Sequence, residues 1–196
     1  MPYTSRHFGF LLNFVHLFHA LSIVKTDLDK PITELVSKSD HRTLGIWAAD
    51  CAERVLPYFE EKYPLDNRPR KAIEALRTWV QTGVFKMADI RKSSLTAHAA
   101  AREVKENDDA ARSAARAAGQ AVATAHVPTH AIAAAVYAAS AVRDATGSID
   151  DTTKERDWQY QHLLDMNKTF GTTYPTKQML WRSRQNLSLP ASKLYF

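Results

Sequence analysis

Three histidines and one acid–base pair stand out in this 196-residue chain as side chains whose types and spacing could do chemistry. His126 and His130 flank Pro128, and His98 lies earlier, in an alanine-rich stretch. A proline inside a continuous helix removes a hydrogen bond and clashes with the preceding turn. The residue before it is pushed towards an extended conformation. One helix therefore ends near His126 and the next starts near Thr129, a permissible N-cap. A helix C-terminus favours a protonated imidazole and an N-terminus a neutral one, so His126 leans towards the cation and His130 towards the neutral ring. A neutral His130 can accept a hydrogen bond or ligate a metal.

Asp50 and Arg54 are four residues apart with the acid first, the favourable orientation for a helical ion pair. Read plainly, this is a surface pair worth a few tenths of a kcal/mol. Read more sharply, it is a partly buried pair beside Trp47 that fixes neighbouring helices or reaches a ligand. The histidines divide in the same way. The preferred reading has them bonding to carbonyls and carboxylates and locking the elbow. The alternative is a metal or small-ligand site built from His98, His126 and His130, with Asp50 as a further member. Acid–base catalysis ranks last, because no nucleophile or paired carboxylates accompany them. The sequence has no glycine-rich phosphate loop, H-E-x-x-H, G-x-S-x-G or C-x-x-C. Cys51 is the single cysteine, which excludes an internal disulfide and a multi-thiolate zinc site from one chain. A reducing, cytoplasmic setting fits it best. No cofactor is expected.

The elements that position these residues read as helices throughout. Twenty alanines fall between positions 97 and 141. Alanine is the best helix former, so this region is expected to be a helical hairpin bent at Pro128, with small side chains that let helix axes approach. Upstream, Leu44, Trp47, Ala48, Cys51, Val55, Tyr58 and Phe59 recur at three- and four-residue steps, an amphipathic helix capped by Ser39 or Asp40. Asp66 or Asn67, with Pro69 in the first turn, starts the next helix, and Gly83 ends it. Ile90, Ala97, Ala101 and Val104 mark one side of another, and Arg91, Leu95, His98 and Arg102 a second side. Ser148, Asp150 and Asp151 open a last helix that stops before Gly171.

The expected fold is all-α: a single multi-helix domain of about six to eight helices around the Ala-rich hairpin. Residues 38–170 form that domain. Residues 1–37 read as an apolar arm and linker, with 27–40 as the linker proper. The run 8–24 is broken by Asn13, His16 and His19, which argues against a membrane span. It lacks a clear small-residue cleavage site, which argues against a signal peptide. A segment packed on the domain or on a second copy of the chain is preferred. Residues 171–196 form a basic tail. No acid follows Asp165, whereas Lys168, Lys177, Arg182, Arg184 and Lys193 do, and these five account for the formal net charge of +5. Lys177, Trp181, Arg182 and Arg184 are candidates for contact with a partner.

Several segments carry a resemblance. They are LGIWAADCAERVLPYFE at 44–60, DNRPRKAIEA at 66–75, AHAAAR at 97–102, ARAAGQAVATAH at 115–126 and PTHA at 128–131. In this order they resemble the predicted immunity proteins of the Imm-five type in bacterial polymorphic toxin systems, over roughly 38–165. The resemblance implies an all-helical fold and a chain encoded beside a toxin that protects the producing cell. Its pattern falls on Trp47, Asp50, Arg54, Arg68, Pro69, His98, Arg102, His126 and His130, which makes these a binding or structural polar cluster. The function expected is therefore immunity: binding and neutralising a cognate toxin domain without catalysis. The alternatives are a metal- or ligand-binding protein or enzyme using the three histidines, and a nucleic-acid-associated protein using the tail. Five dispersed cations make a small footprint for a nucleic acid, which disfavours the last. A homodimer through the arm or the tail remains open.

Overall fold

The computed structural model describes residues 25–171, and all of the regular structure there is helical. In order the helices are α1 (Asp29–Lys38), α2 (His41–Val55), the single turn α3 (Pro57–Glu60), α4 (Arg68–Thr82), α5 (Met87–Glu103), α6 (Asp109–Ala123), α7 (His130–Thr146) and α8 (Ile149–Gly171). The apolar run 8–24 and the tail residues Lys177, Trp181, Arg182 and Arg184 lie outside the described residues.

Local chemistry sets most boundaries. Asp40 caps α2 by accepting from the backbone N–H groups of Arg42 and Thr43, at 2.9 and 3.0 Å. Pro57 cannot supply the next helical N–H, so α2 stops at Val55 and the chain re-forms as the single turn α3. Pro69 sits in the first turn of α4, and Gly83, at φ +67°, closes that helix in the left-handed conformation that side chains with a Cβ resist. The elbow at Pro128 divides α6 from α7, with Thr129 in the N-cap position but making no side-chain cap. Ser148 Oγ accepts from Asp151 N–H to open α8.

The stretch 27–40 differs from its reading as a linker, since most of it is α1. Pro31 lies in the first turn, where it does no harm, and Ile32 and Val36, one turn apart, are buried. The charged residues Asp29, Lys30, Glu34 and Lys38 around it masked this short apolar stripe.

The hairpin α6–α7 is the centre. Ala111, Ala114, Ala115, Ala117, Ala118 and Ala121 of α6 are buried, as are Ala131, Ala134, Ala135, Ala138 and Ala141 of α7. Small side chains bring the backbones close but supply little volume. Bulk comes from the surrounding helices: Trp47, Val55, Leu56, Phe59, Leu76 and Leu163 are all within about 1 % of full burial. Helices α2 and α4 pack on one side of the hairpin, α5 on α6, and α8 on α7 and α2, with α1 lying against α8. No helix among the described residues is long and apolar enough to cross a membrane.

Candidate functional site

The residues singled out by the sequence fall into three separate places. Asp50 and Arg54 are not each other's partners. Asp50 leaves α2 to accept from Arg77 Nη2 of α4 at 2.5 Å and from His162 Nε2 of α8 at 2.7 Å. Arg77 also bonds Glu53 at 2.6 Å. Arg54 donates through Nε and Nη2 to Glu155 Oε2 of α8, both at 3.1 Å, and its guanidinium lies 3.9 Å from the Trp158 ring centre. Trp158 stacks in turn on His162. One turn of α2 thus ties α4 and α8 together through two charge networks.

Trp47 belongs under this network, not on a face. It is fully buried and its Nε1 donates to the Gln159 carbonyl at 2.9 Å. Behind it the network continues inward. Gln159 Nε2 donates to Glu155 and to the Ala135 carbonyl, and Arg156 donates to Gln159 and to Asp29 of α1. Burial among these groups pushes the Cys51 thiol well above its ordinary range, with Glu155 and Asp50 adding to the effect, so it is held as the neutral thiol.

Because Asp50 is partly exposed and Arg77 keeps Glu53, Asp50→Ala is expected to cost about 1–2 kcal/mol, between the values for exposed pairs and for charged hydrogen bonds in buried sites. Urea unfolding measures it. A loss below about 0.5 kcal/mol would make the three-helix tie a surface contact.

Arg68 stands apart. It bonds Asp66 within its own turn and Glu103 at the end of α5, and the guanidinium holds the Asp66 carboxyl below its ordinary range. This clamps the start of α4 to the end of α5.

The histidines form the third place. His98 of α5 lies flat against α6: a Cβ on Gly119 would sit 2.9 Å from its Cε1 and Nε2. Beside it Ser94 Oγ donates to the Gly119 carbonyl. Burial, and then the nearby charges of Arg116, Arg102 and His130, lower the His98 pKa to about 4, so the ring is neutral at pH 7. His130 bonds Gln120 across the hairpin through Nδ1 at 2.7 Å, and it too is lowered, by burial first and His126 second. His126 is exposed and stacks on Phe85. Arg102 is exposed one turn after His98. Among the described residues no three His, Cys, Asp or Glu side chains lie close enough to hold a metal ion. A second histidine, His41 of α2, also grips the elbow: its Nε2 donates to the Thr124 carbonyl at 2.6 Å.

An unfolded histidine titrates near 6.5. As pH falls below that value the unfolded chain takes up a proton that folded His98 refuses, so stability drops until about pH 4, where the folded ring also titrates. His98→Gln is expected to remove this share of the acid sensitivity. Urea midpoints of both proteins across that range would show it, and identical slopes would mean that His98 is solvated.

Sequence reasoning missed Arg77, His162, Glu155 and Arg116. The first three are far from their partners in sequence and carry no local signature. Arg116 did have one. No acid occurs in 90–102 or in 110–143, yet both windows carry arginines. The near-neutral total for the domain concealed this local imbalance.

A family model described as "Imm-5 like putative immunity protein" matches residues 34–166, which takes in the second half of α1 and most of α8. No curated protein and no solved structure matches the chain.

Proposed function

The chain belongs to the Imm-5-like family of immunity proteins, and from that premise we propose that it binds a cognate toxin domain of a bacterial polymorphic toxin system and neutralises it by occupancy, without catalysis, in the cytoplasm of the producing cell. The family match carries this reading, since membership implies a protein partner. The geometry supports binding over turnover. Asp50, Arg54, Arg68 and Trp47, which have the residue types of a polar site, are each engaged in holding one helix to another. They make a stiff scaffold, and stiffness lowers the ordering cost of forming an interface.

Titration of the toxin domain encoded beside this chain's gene tests the idea. Toxin activity is expected to fall linearly with added protein and to reach its floor at equal concentrations, with a one-to-one complex on size exclusion. Protection by a small fraction of an equivalent would mean catalytic detoxification. Undiminished toxin activity at excess protein would end the immunity reading.

A further inference from the structure

Among the described residues, seven of the eleven arginines form salt bridges, and Arg42, Arg91, Arg102 and Arg116 do not. Three of these four lie on α5 and α6. Arg91, Leu95, His98 and Arg102 follow one another at helical spacing, so they share one side of α5. Arg116 comes from α6, three residues before the Gly119 that His98 covers, and its guanidinium lies 5.8 Å from the Tyr137 ring centre of α7. Arg102 and Arg116 are both close enough to act on the His98 ring electrically. The acids of α5 are at its two ends: Asp89 in the first turn, and Glu103 in the last, bonded to Arg68. Neither α6 nor α7 has an acid between 110 and 143.

A protein that pairs most of its arginines with acids leaves these three, on the adjacent helices α5 and α6, without an acid partner, at a cost in self-repulsion. We propose that this outward face of α5, α6 and α7, centred on Arg91, Arg102 and Arg116, docks an acidic segment of the partner polypeptide. The proposal rests on the immunity reading and names the chemistry of the toxin surface it would cover. Charge complementarity selects an acidic partner. The face is also part apolar: Leu95 is 55 % exposed on the same side of α5, and Phe85 and Met87 are exposed at its start. Arginine, methionine and aromatic rings are the types enriched at protein interfaces. A nucleic acid would call for a basic groove that tracks a phosphate backbone, and three guanidiniums around exposed leucine and methionine suit a polypeptide better. The Gly119 contact sets His98 against α6, with Arg102 exposed beside it and Arg116 half-buried.

The experiment uses the full chain, the inactivated toxin domain encoded by the neighbouring gene and, separately, a short DNA duplex. The triple variant R91E/R102E/R116E is compared with K30E/K38E/K154E, which makes the same charge change on α1 and α8. The double variant R91E/R102E touches only exposed side chains and guards against a folding defect from the half-buried Arg116. The face variants are expected to bind the toxin domain about 100-fold more weakly at low salt, chiefly through a slower on-rate, with the difference shrinking as salt rises. The control is expected to stay within about 3-fold of the native chain. Equal binding by face variants and control would overturn the docking face while leaving the immunity reading intact. Loss of duplex binding with toxin binding unchanged would overturn it in favour of a nucleic acid. A native chain that neither binds nor neutralises the toxin would overturn the immunity reading, and the docking face with it, before any substitution is made.

Discussion

Trp47→Ala is expected to destabilise the protein by about 3–5 kcal/mol, the range for removing a large aromatic from a packed core. The ring is fully buried between α2 and α8. Few neighbours can move into the space, because much of the core around the hairpin is alanine, whose side chain has no rotamer to adjust. The cavity should therefore persist. Trp47→Phe separates volume from hydrogen bonding. It keeps most of the ring but drops the donor to the Gln159 carbonyl, and should cost about 1–2 kcal/mol. Urea unfolding of both variants gives the two values. A loss below about 1 kcal/mol for Trp47→Ala would mean that the site collapses freely, contrary to the packing. Trp47→Phe should still neutralise the toxin, because the ring offers nothing to a partner's surface.

Asp29→Ala carries the second large effect. Arg156 is buried with a side-chain exposure of 2 %, and its carboxylate partner is Asp29, at 2.5 Å on α1. Its Nη1 donates to Gln159, and its Nε has no hydrogen-bond partner. Removing the acid strands a buried cation, a change that costs 3–5 kcal/mol in comparable pairs. The Asp29 side chain is 42 % exposed, so water can reach this end of the pair. We expect about 3 kcal/mol, the lower end of that range. Arg156→Met should cost less, although it also removes the hydrogen bond to Gln159, because it takes the buried charge away together with its partner's burden. The order of the two losses is the test. If Arg156→Met proves the more costly, packing rather than charge secures α1, and the ion pair is incidental. Hydrogen exchange should also show α1 opening first in Asp29→Ala, since Asp29 ties that helix to α8.

What was legible in advance was everything set by neighbours along the chain. Pro128 forces the elbow whatever surrounds it, because the missing N–H and the fixed φ are local facts. Asp40 caps α2, Gly83 closes α4, and Ser148 opens α8 for the same kind of reason. The alanine run specified close-packed helices, and the stripe through Trp47, Cys51 and Val55 specified which side of α2 is inward. Ile32 and Val36 were just as readable, but the surrounding charge hid them.

Which groups meet was decided only by the tertiary structure. Spacing placed Asp50 and Arg54 on one side of α2 and allowed either a surface pair or ties to neighbouring helices. The fold makes the ties and names their partners, because α4 brings Arg77, and α8 brings Glu155 and His162, to the same turn. Those partners lie 27 to 112 residues away, and no local periodicity encodes a contact over that distance. His98 followed the same rule. Its residue type favoured a structural ring over a metal ligand and a catalyst, but could not say what the ring would meet. Only the fold set it against Gly119, beside Arg116 and Arg102, where burial and like charge keep it neutral. An α-helix fixes which side chains share a face, whereas the chain's return path fixes what that face meets.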